Sequence, residues 1–185
     1  LLQVLDSGTV IYELGSWATP WGIEYRIDIL NAFILIIVSG IGAIVMPYSW
    51  LSVKNEIVKE REYLFYCMLL LCITGLMGIA ITGDAFNLFV FMEISSLSSY
   101  VLISFGQDRR ALIAAYRYLI MGTIGATFYM IGVGFLYAAT GTLNIFDLGL
   151  IVPEISDSRT VQVALAFLTV GLCIKLALFP LHMWL

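Results

Sequence analysis

Residues 63–105 read YLFYCMLLLCITGLMGIAITGDAFNLFVFMEISSLSSYVLISF. A membrane-crossing helix needs about 20 mainly apolar residues. This stretch holds two such runs, 63–81 and 85–105, parted only by Thr82, Gly83 and Asp84, which break the helix. Working outward, the same criterion predicts three more spans, at 29–53, at 111–140 with a more polar start around Arg117, and at 161–185. Residues 1–28 alternate from Val10 to Trp17 and then carry Thr19, Pro20, Trp21 and Gly22, the pattern of an extended loop or small hairpin. The expected fold is all-α: a polytopic transmembrane helix bundle of about five spans, a single transmembrane domain over 29–185 preceded by the loop 1–28.

The whole chain agrees with that stretch. Its 185 residues are 61% hydrophobic and 12% charged, against roughly 45–50% and about 25% in an average soluble domain. That excludes an ordinary soluble globule, and a mean hydropathy of +0.99 excludes disorder. A net charge of −4 excludes a broadly basic nucleic-acid binder. Residues 1–8 have no basic n-region to suggest a signal peptide. The start at Leu1 and the stop at Leu185 inside an apolar run suggest a piece of something longer. Cys67, Cys72 and Cys173 sit in apolar stretches without C-x-x-C spacing, so they read as inert core residues, with no metal site expected.

Basic residues are retained on the cytoplasmic side of a membrane. Lys54, Lys59, Arg61, Arg109, Arg110 and Arg117 fall in the two connections that share one side, whereas Arg26 and Arg159 fall on the other. The N-terminal loop is therefore expected outside and the C-terminal end at the cytoplasmic face of a prokaryotic cytoplasmic membrane.

Two charges lie inside predicted spans: Glu93 near the middle of 85–105, and Lys175 within 161–185. An ionisable group at the bilayer centre costs at least about 2.5–3.5 kcal/mol and normally marks a pathway. Alone, each would be driven toward its neutral form; facing each other, each keeps the other charged. A structural ion pair fixing helix register is the bland alternative, but buried pairs are weak sources of stability, which favours proton translocation. Ser96 and Tyr100 share the Glu93 face at i+3 and i+7, and Asp84 and Asn87 lie nearer the start of that helix, so all four are candidate lining or relay residues. Asp84 reads first as a helix N-cap. Ser95, Ser98 and Ser99 read equally as lining or as small residues that let helices approach. Pro180 cannot donate to the carbonyl of Leu176, so the last helix is expected to kink or unwind next to Lys175. His182, seven residues on, would lie on the Lys175 face of an unbroken helix and is a candidate proton relay or an interfacial anchor. Gly122, Gly125, Ala126, Gly132 and Gly134, with Thr123 and Thr127, read as a close-packing surface. There is no G-x-G-x-x-G, P-loop, H-E-x-x-H or thiolate cluster, so no cofactor and no catalytic chemistry are expected within the chain.

Three stretches go further: TGDAFNLFVFME (82–93), KLALFPLHMWL (175–185) and DRRALIAAYRYLIMGTIGATFYMIGVGFLYAATG (108–141). They resemble the antiporter-like membrane subunits shared by respiratory complex I, membrane-bound hydrogenases and multisubunit Mrp-type Na+/H+ antiporters, with the first stretch most similar to the D-type member of the Mrp group. The resemblance implies a larger inverted-repeat fold of about fourteen helices, of which these are the third to seventh. It also implies a coupling pair at Glu93 and Lys175, with Lys175 on a broken helix. The implied partners are other hydrophobic subunits, protons and Na+ or K+. Three functions stay open: a proton-conducting part of a cation/proton antiporter, a pumping module of an NADH:quinone oxidoreductase or hydrogenase, and a non-transporting scaffold.

Overall fold

The computed structural model describes residues 2–106, 108–182 and 184. Four of its helices are long and apolar enough to cross a membrane. Helix α1 (Leu2–Ser7) leads into an antiparallel hairpin of β1 (Val10–Glu13) and β2 (Glu24–Ile27), with Val10 opposite Ile27 and Glu13 opposite Glu24. The four long helices follow: α2 (Ile29–Glu56), α3 (Glu62–Ile81), α4 (Ala85–Ser104) and α5 (Arg109–Thr140). A short α6 (Ile145–Glu154) and then α7 (Arg159–Lys175) complete the described elements.

Local chemistry sets these boundaries. Asp28 caps α2, its carboxylate accepting from Asn31 N while Asn31 Oδ1 accepts from Asp28 N, so two otherwise orphaned donors are satisfied reciprocally. Asp108 caps α5 by accepting from Arg110 N, and Asn144 caps α6 by accepting from Phe146 N and Asp147 N. Helix α6 falls in a connection where the sequence pattern predicts no helix; at 10 residues it is too short for a span-length criterion to register.

The predicted span 161–185 ends early. Helix α7 stops at Lys175, after 17 residues and about 25 Å of rise, and the chain continues through turns. Residues 183 and 185 of the expected span lie outside the described residues. The stop is a double closure: Leu178 N donates to Cys173 O and Ala177 N to Ile174 O, with Ala177 in the left-handed region at φ 51°. Pro180, without an N–H, cannot rebuild the helix beyond this point.

The outside of the bundle is apolar, as a lipid-facing surface requires: Ile41, Ile44 and Leu51 on α2 are all more than half exposed. The core lies between α4, α5 and α7, where Ala85, Met92, Tyr129, Val133, Val161 and Ala164 form one buried cluster. Close approach of α5 and α7 depends on glycine. A Cβ on Gly171 would stand 2.7 Å from Tyr129 N and 2.8 Å from Gly125 O, and one on Gly132 would stand 2.9 Å from Ala164 O. Gly122 and Gly125 also face neighbours, whereas nothing stands within 4 Å of a Cβ on Gly134. Thr123 and Thr127 are exposed and bond to the carbonyls of Leu119 and Thr123 on their own helix. The close-packing face of α5 is thus narrower than its small-residue content suggests.

Candidate functional site: a buried Glu–Lys pair

The break between α3 and α4 is tied on two sides. Gly83 N donates to Glu24 O of the hairpin, Ile145 N donates to Gly83 O, and Ala85 N donates to Leu143 O, so the hairpin and the α5–α6 connection both hold the start of α4. Asp84 is buried, and its carboxylate accepts from Asn87 N at 2.7 Å. Burial pushes the Asp84 carboxyl above its ordinary value of 3.8, against the backbone hydrogen bonds from Asn87 and Phe86 that favour the charged form. The Asn87 side chain donates to Thr82 Oγ1 at 3.0 Å, and Tyr129 OH donates to Ala85 O at 3.1 Å. Asp84 and Asn87 therefore work together as a capping unit at the entrance of α4.

Two and a half turns further along α4 is Glu93. Lys175, the last residue of α7, donates to Glu93 Oε1 at 2.7 Å and to Ser96 Oγ at 3.1 Å. The two side chains are separated by 82 residues in sequence, and only 12% of Lys175 and 22% of Glu93 remain exposed. Helix α4 presents Glu93 and Ser96 one turn apart on the face toward α7, and the stop of α7 places the ammonium at a helix C-terminus, where cations are favoured. The site thus holds a charge-assisted, two-acceptor clamp on one ammonium.

The other serines turn inward on their own helix. Ser95, Ser98 and Ser99 donate to the carbonyls of Met92, Ile94 and Ser95, and Gly75 of α3 packs against Ser95. Ser95 thus sits in the α3–α4 contact, while Ser96 belongs to the ion pair. Tyr100 is buried, and its hydroxyl has no hydrogen-bond partner among the described residues. A Cβ on Gly122 would collide with that hydroxyl. The Tyr100 ring meets Tyr118 edge-on at 4.6 Å, and Tyr118 stacks on Trp184 at 4.3 Å.

His182 is not brought to this site along a helix face. The helix ends seven residues before it, and His182 is exposed beside the Phe179 ring, 5.5 Å away between centroids. The premise of an unbroken helix fails because the closure at Ala177 turns the chain away. No group of three metal-ligating side chains gathers among the described residues, and Cys67, Cys72 and Cys173 are free thiols. Sequence reading missed a cavity of about 470 Å³ at the hairpin end, lined by buried Glu24 with Arg26, Asn31, Thr82, Gly83 and Phe146. Arg26 lies over the Phe146 ring at 4.6 Å. The ion pair does not line this cavity.

A family model described as NADH:quinone oxidoreductase/Mrp antiporter, TM, matches residues 82–185, more than half of the chain. The chain belongs to this family of antiporter-like membrane subunits. Within the family it is 48% identical over 196 aligned positions to the N-type subunit of the NADH-quinone oxidoreductase of Desulforudis audaxviator (strain MP104C), covering 100% of this chain and 39% of that protein. It is 33% identical to the D-type subunit of the Na(+)/H(+) antiporter of Alkalihalophilus pseudofirmus, covering 100% of this chain and 37% of the relative. Among solved structures, it matches a chain of the membrane-bound sulfane sulfur reductase, an archaeal respiratory membrane complex, with a TM-score of 0.86, 35% identity, and coverage of 99% of this chain and 37% of the other. It matches the Mrp complex from Dietzia sp. DQ12-45-1b with a TM-score of 0.79 and 27% identity, covering 100% of this chain and 34% of the other. The chain thus spans less than two fifths of the length of these family members, which are subunits of multisubunit membrane complexes.

Proposed function

We propose that this chain forms part of a proton-conducting membrane subunit of a multisubunit monovalent cation/proton antiporter, in which Glu93 and Lys175 carry the proton step. The observation that supports this most is the 2.7 Å contact between the two charges, which are nearly removed from water. Held together, they keep each other ionised. When they separate, Lys175 is left desolvated without its counter-charge, its neutral amine becomes favoured, and the proton leaves. Ser96 positions the ammonium, and Asp84 and Asn87 fix the start of α4. Residues 29–185 act as one transmembrane domain, with 1–28 outside the membrane. The hairpin end faces outward and the Lys175 end faces the cytoplasm, following the six basic residues at the end of α2, between α2 and α3 and in the first three turns of α5. His182 is exposed beyond the end of α7, on the cytoplasmic side, where it is a candidate relay residue. The exchanged cation is Na+ or K+, and the partners are other hydrophobic subunits.

A second reading is a pumping module of a redox complex, favoured by the higher identity to the NADH-quinone oxidoreductase relative, 48% against 33% for the Na(+)/H(+) antiporter relative. Both readings use the same pair. They part on the energy source: vesicles carrying the complete complex exchange cations for protons without an electron donor in the first, and move protons only while a donor is oxidised in the second. In either assay, Glu93→Ala or Lys175→Ala abolishes flux while the complex still assembles. Undiminished flux in both variants refutes the assignment of the pair.

A further inference from the structure

The Tyr100 hydroxyl is anomalous. Buried polar groups are nearly always hydrogen-bonded, and the exceptions call for an explanation. Among the described residues, this is the buried side-chain oxygen or nitrogen without a partner. Its surroundings leave room for the hydroxyl without a well-formed hydrogen bond: Gly122 of α5 lies against it, where any Cβ would collide, and Ser96 on its own helix is the polar side chain beside it. A phenylalanine would fill the same space without leaving a buried hydroxyl unpaired.

Position along α4 supplies the reason. Glu93, Ser96 and Tyr100 share one helical face, with Tyr100 one turn beyond Ser96 and only four residues before the helix ends at Ser104. Ser96 Oγ already accepts a hydrogen bond from Lys175. A hydroxyl both donates and accepts, and Ser96 is the side-chain hydroxyl that interacts with Tyr100, so Lys175, Ser96 and Tyr100 follow one another along one face of α4 from the buried pair toward its end. Tyr118 lies edge-on against Tyr100, and Trp184 stacks on Tyr118 while its Nε1 donates to Ile174 O, next to Lys175. This stack joins Tyr100 to the segment in which the chain leaves α7.

We infer that Tyr100 is a proton-transfer residue of the cytoplasmic half-path, reloading Lys175 through Ser96. The inference rests on the transport reading above and specifies the route. With Lys175 neutral, hydronium on the cytoplasmic side gives a proton to the Tyr100 oxygen. Tyr100 passes its own hydroxyl hydrogen to Ser96 Oγ, and Ser96 passes its hydrogen to the lone pair of the Lys175 amine. One O–H bond of hydronium is lost and one N–H bond is gained. Water and the ammonium are the products, and each hydroxyl ends with a single hydrogen. Displacement of the Tyr118–Trp184 stack admits water to Tyr100, so the stack acts as the gate.

The test is Tyr100→Phe in the complete complex, reconstituted in vesicles and compared with the parent and with Glu93→Ala. Proton flux should fall roughly 100-fold, the lower end of what a positioned proton-transfer group contributes, and the solvent deuterium isotope effect on the residual flux should change. The melting temperature should change little, because the hydroxyl removed makes no well-formed hydrogen bond. Ser96→Ala, which interrupts the same row, should give the same flux defect. Parental flux in Tyr100→Phe, with Glu93→Ala inactive, overturns this route and leaves the transport reading standing. Parental flux in both overturns the transport reading itself.

Discussion

Replacing the Glu93–Lys175 pair by an apolar pair of similar size separates a transporting role from a holding role. Truncating one partner leaves the other charge without compensation. For buried pairs this costs about 3–5 kcal/mol, whereas replacing both by packed apolar residues is neutral or stabilising by about 1–4 kcal/mol. The 12% and 22% residual exposure of the two side chains places the single variants at the lower end, about 3 kcal/mol each. Ser96 still accepts from Lys175 when Glu93 is lost, which limits the damage in Glu93→Leu further than in Lys175→Met. The expected pattern across the cycle is therefore two destabilised single variants, Glu93→Leu the milder, and a double variant E93L/K175M at or above parental stability. Proton flux should be absent in all three. Denaturant unfolding of the purified complex in detergent measures the first quantity, and flux in vesicles the second. A stable double variant that still transports would show that the pair only locks helices. Single variants as stable as the parent would show that no such ion pair forms.

Other positions give sharper local checks. The Asp84 carboxyl is raised by burial, so the folded state takes up its proton before the unfolded state does as pH falls. Stability relative to Asp84→Asn, which keeps the cap, should rise as pH drops from neutral through the raised value and level off below 3.8, as followed by thermal unfolding across pH. Ala177→Gly should stabilise the end of α7 by about 1 kcal/mol, because a left-handed residue with a Cβ is strained by roughly that amount; an unchanged unfolding midpoint would argue against the closure. Gly171→Ala should destabilise by about 1–3 kcal/mol through overpacking, since its Cβ would stand 2.7 Å from Tyr129 N and 2.8 Å from Gly125 O, both rigid backbone. Wild-type stability in that variant would refute the intimate contact between α5 and α7.

The sequence made some of this legible for definite reasons. Span-length apolar runs and the Thr82–Gly83–Asp84 interruption locate α2 to α5 because the bilayer imposes a minimum length that composition reveals directly. Glu93 and Lys175 stood out because a charge inside such a run is expensive, and only three-dimensional packing could bring residues 82 apart to 2.7 Å. The division among the serines was not legible, because it depends on which way each hydroxyl turns: Ser96 to Lys175, and Ser95, Ser98 and Ser99 back to their own helix. Nor was the stop at Lys175. Pro180 announces an interruption nearby, but the left-handed residue is Ala177, where a glycine would have been the readable signal. Glu24 escaped because a loop acid looks solvated until the hairpin folds it against Gly83.

These constraints narrow down what can move to part the ion pair. The start of α4 is bound to the hairpin and to the α5–α6 connection by backbone hydrogen bonds, so Glu93 belongs to a fixed element. The body of α7 meets α5 through Gly125, Gly132 and Gly171 at separations that leave no room for a Cβ. What remains is the end of α7: Lys175 is its last helical residue, Ala177 sits in a strained conformation two residues on, and Trp184 is tied to the carbonyl of Ile174. Rearranging residues 176–182 would shift the last turn that carries Lys175 and lift Trp184 from Tyr118 in one motion. On the proposed transport reading, separation of the charges and access to the Tyr100 hydroxyl would then be the same event, so that Lys175 would be discharged only in the conformation in which it can also be reloaded.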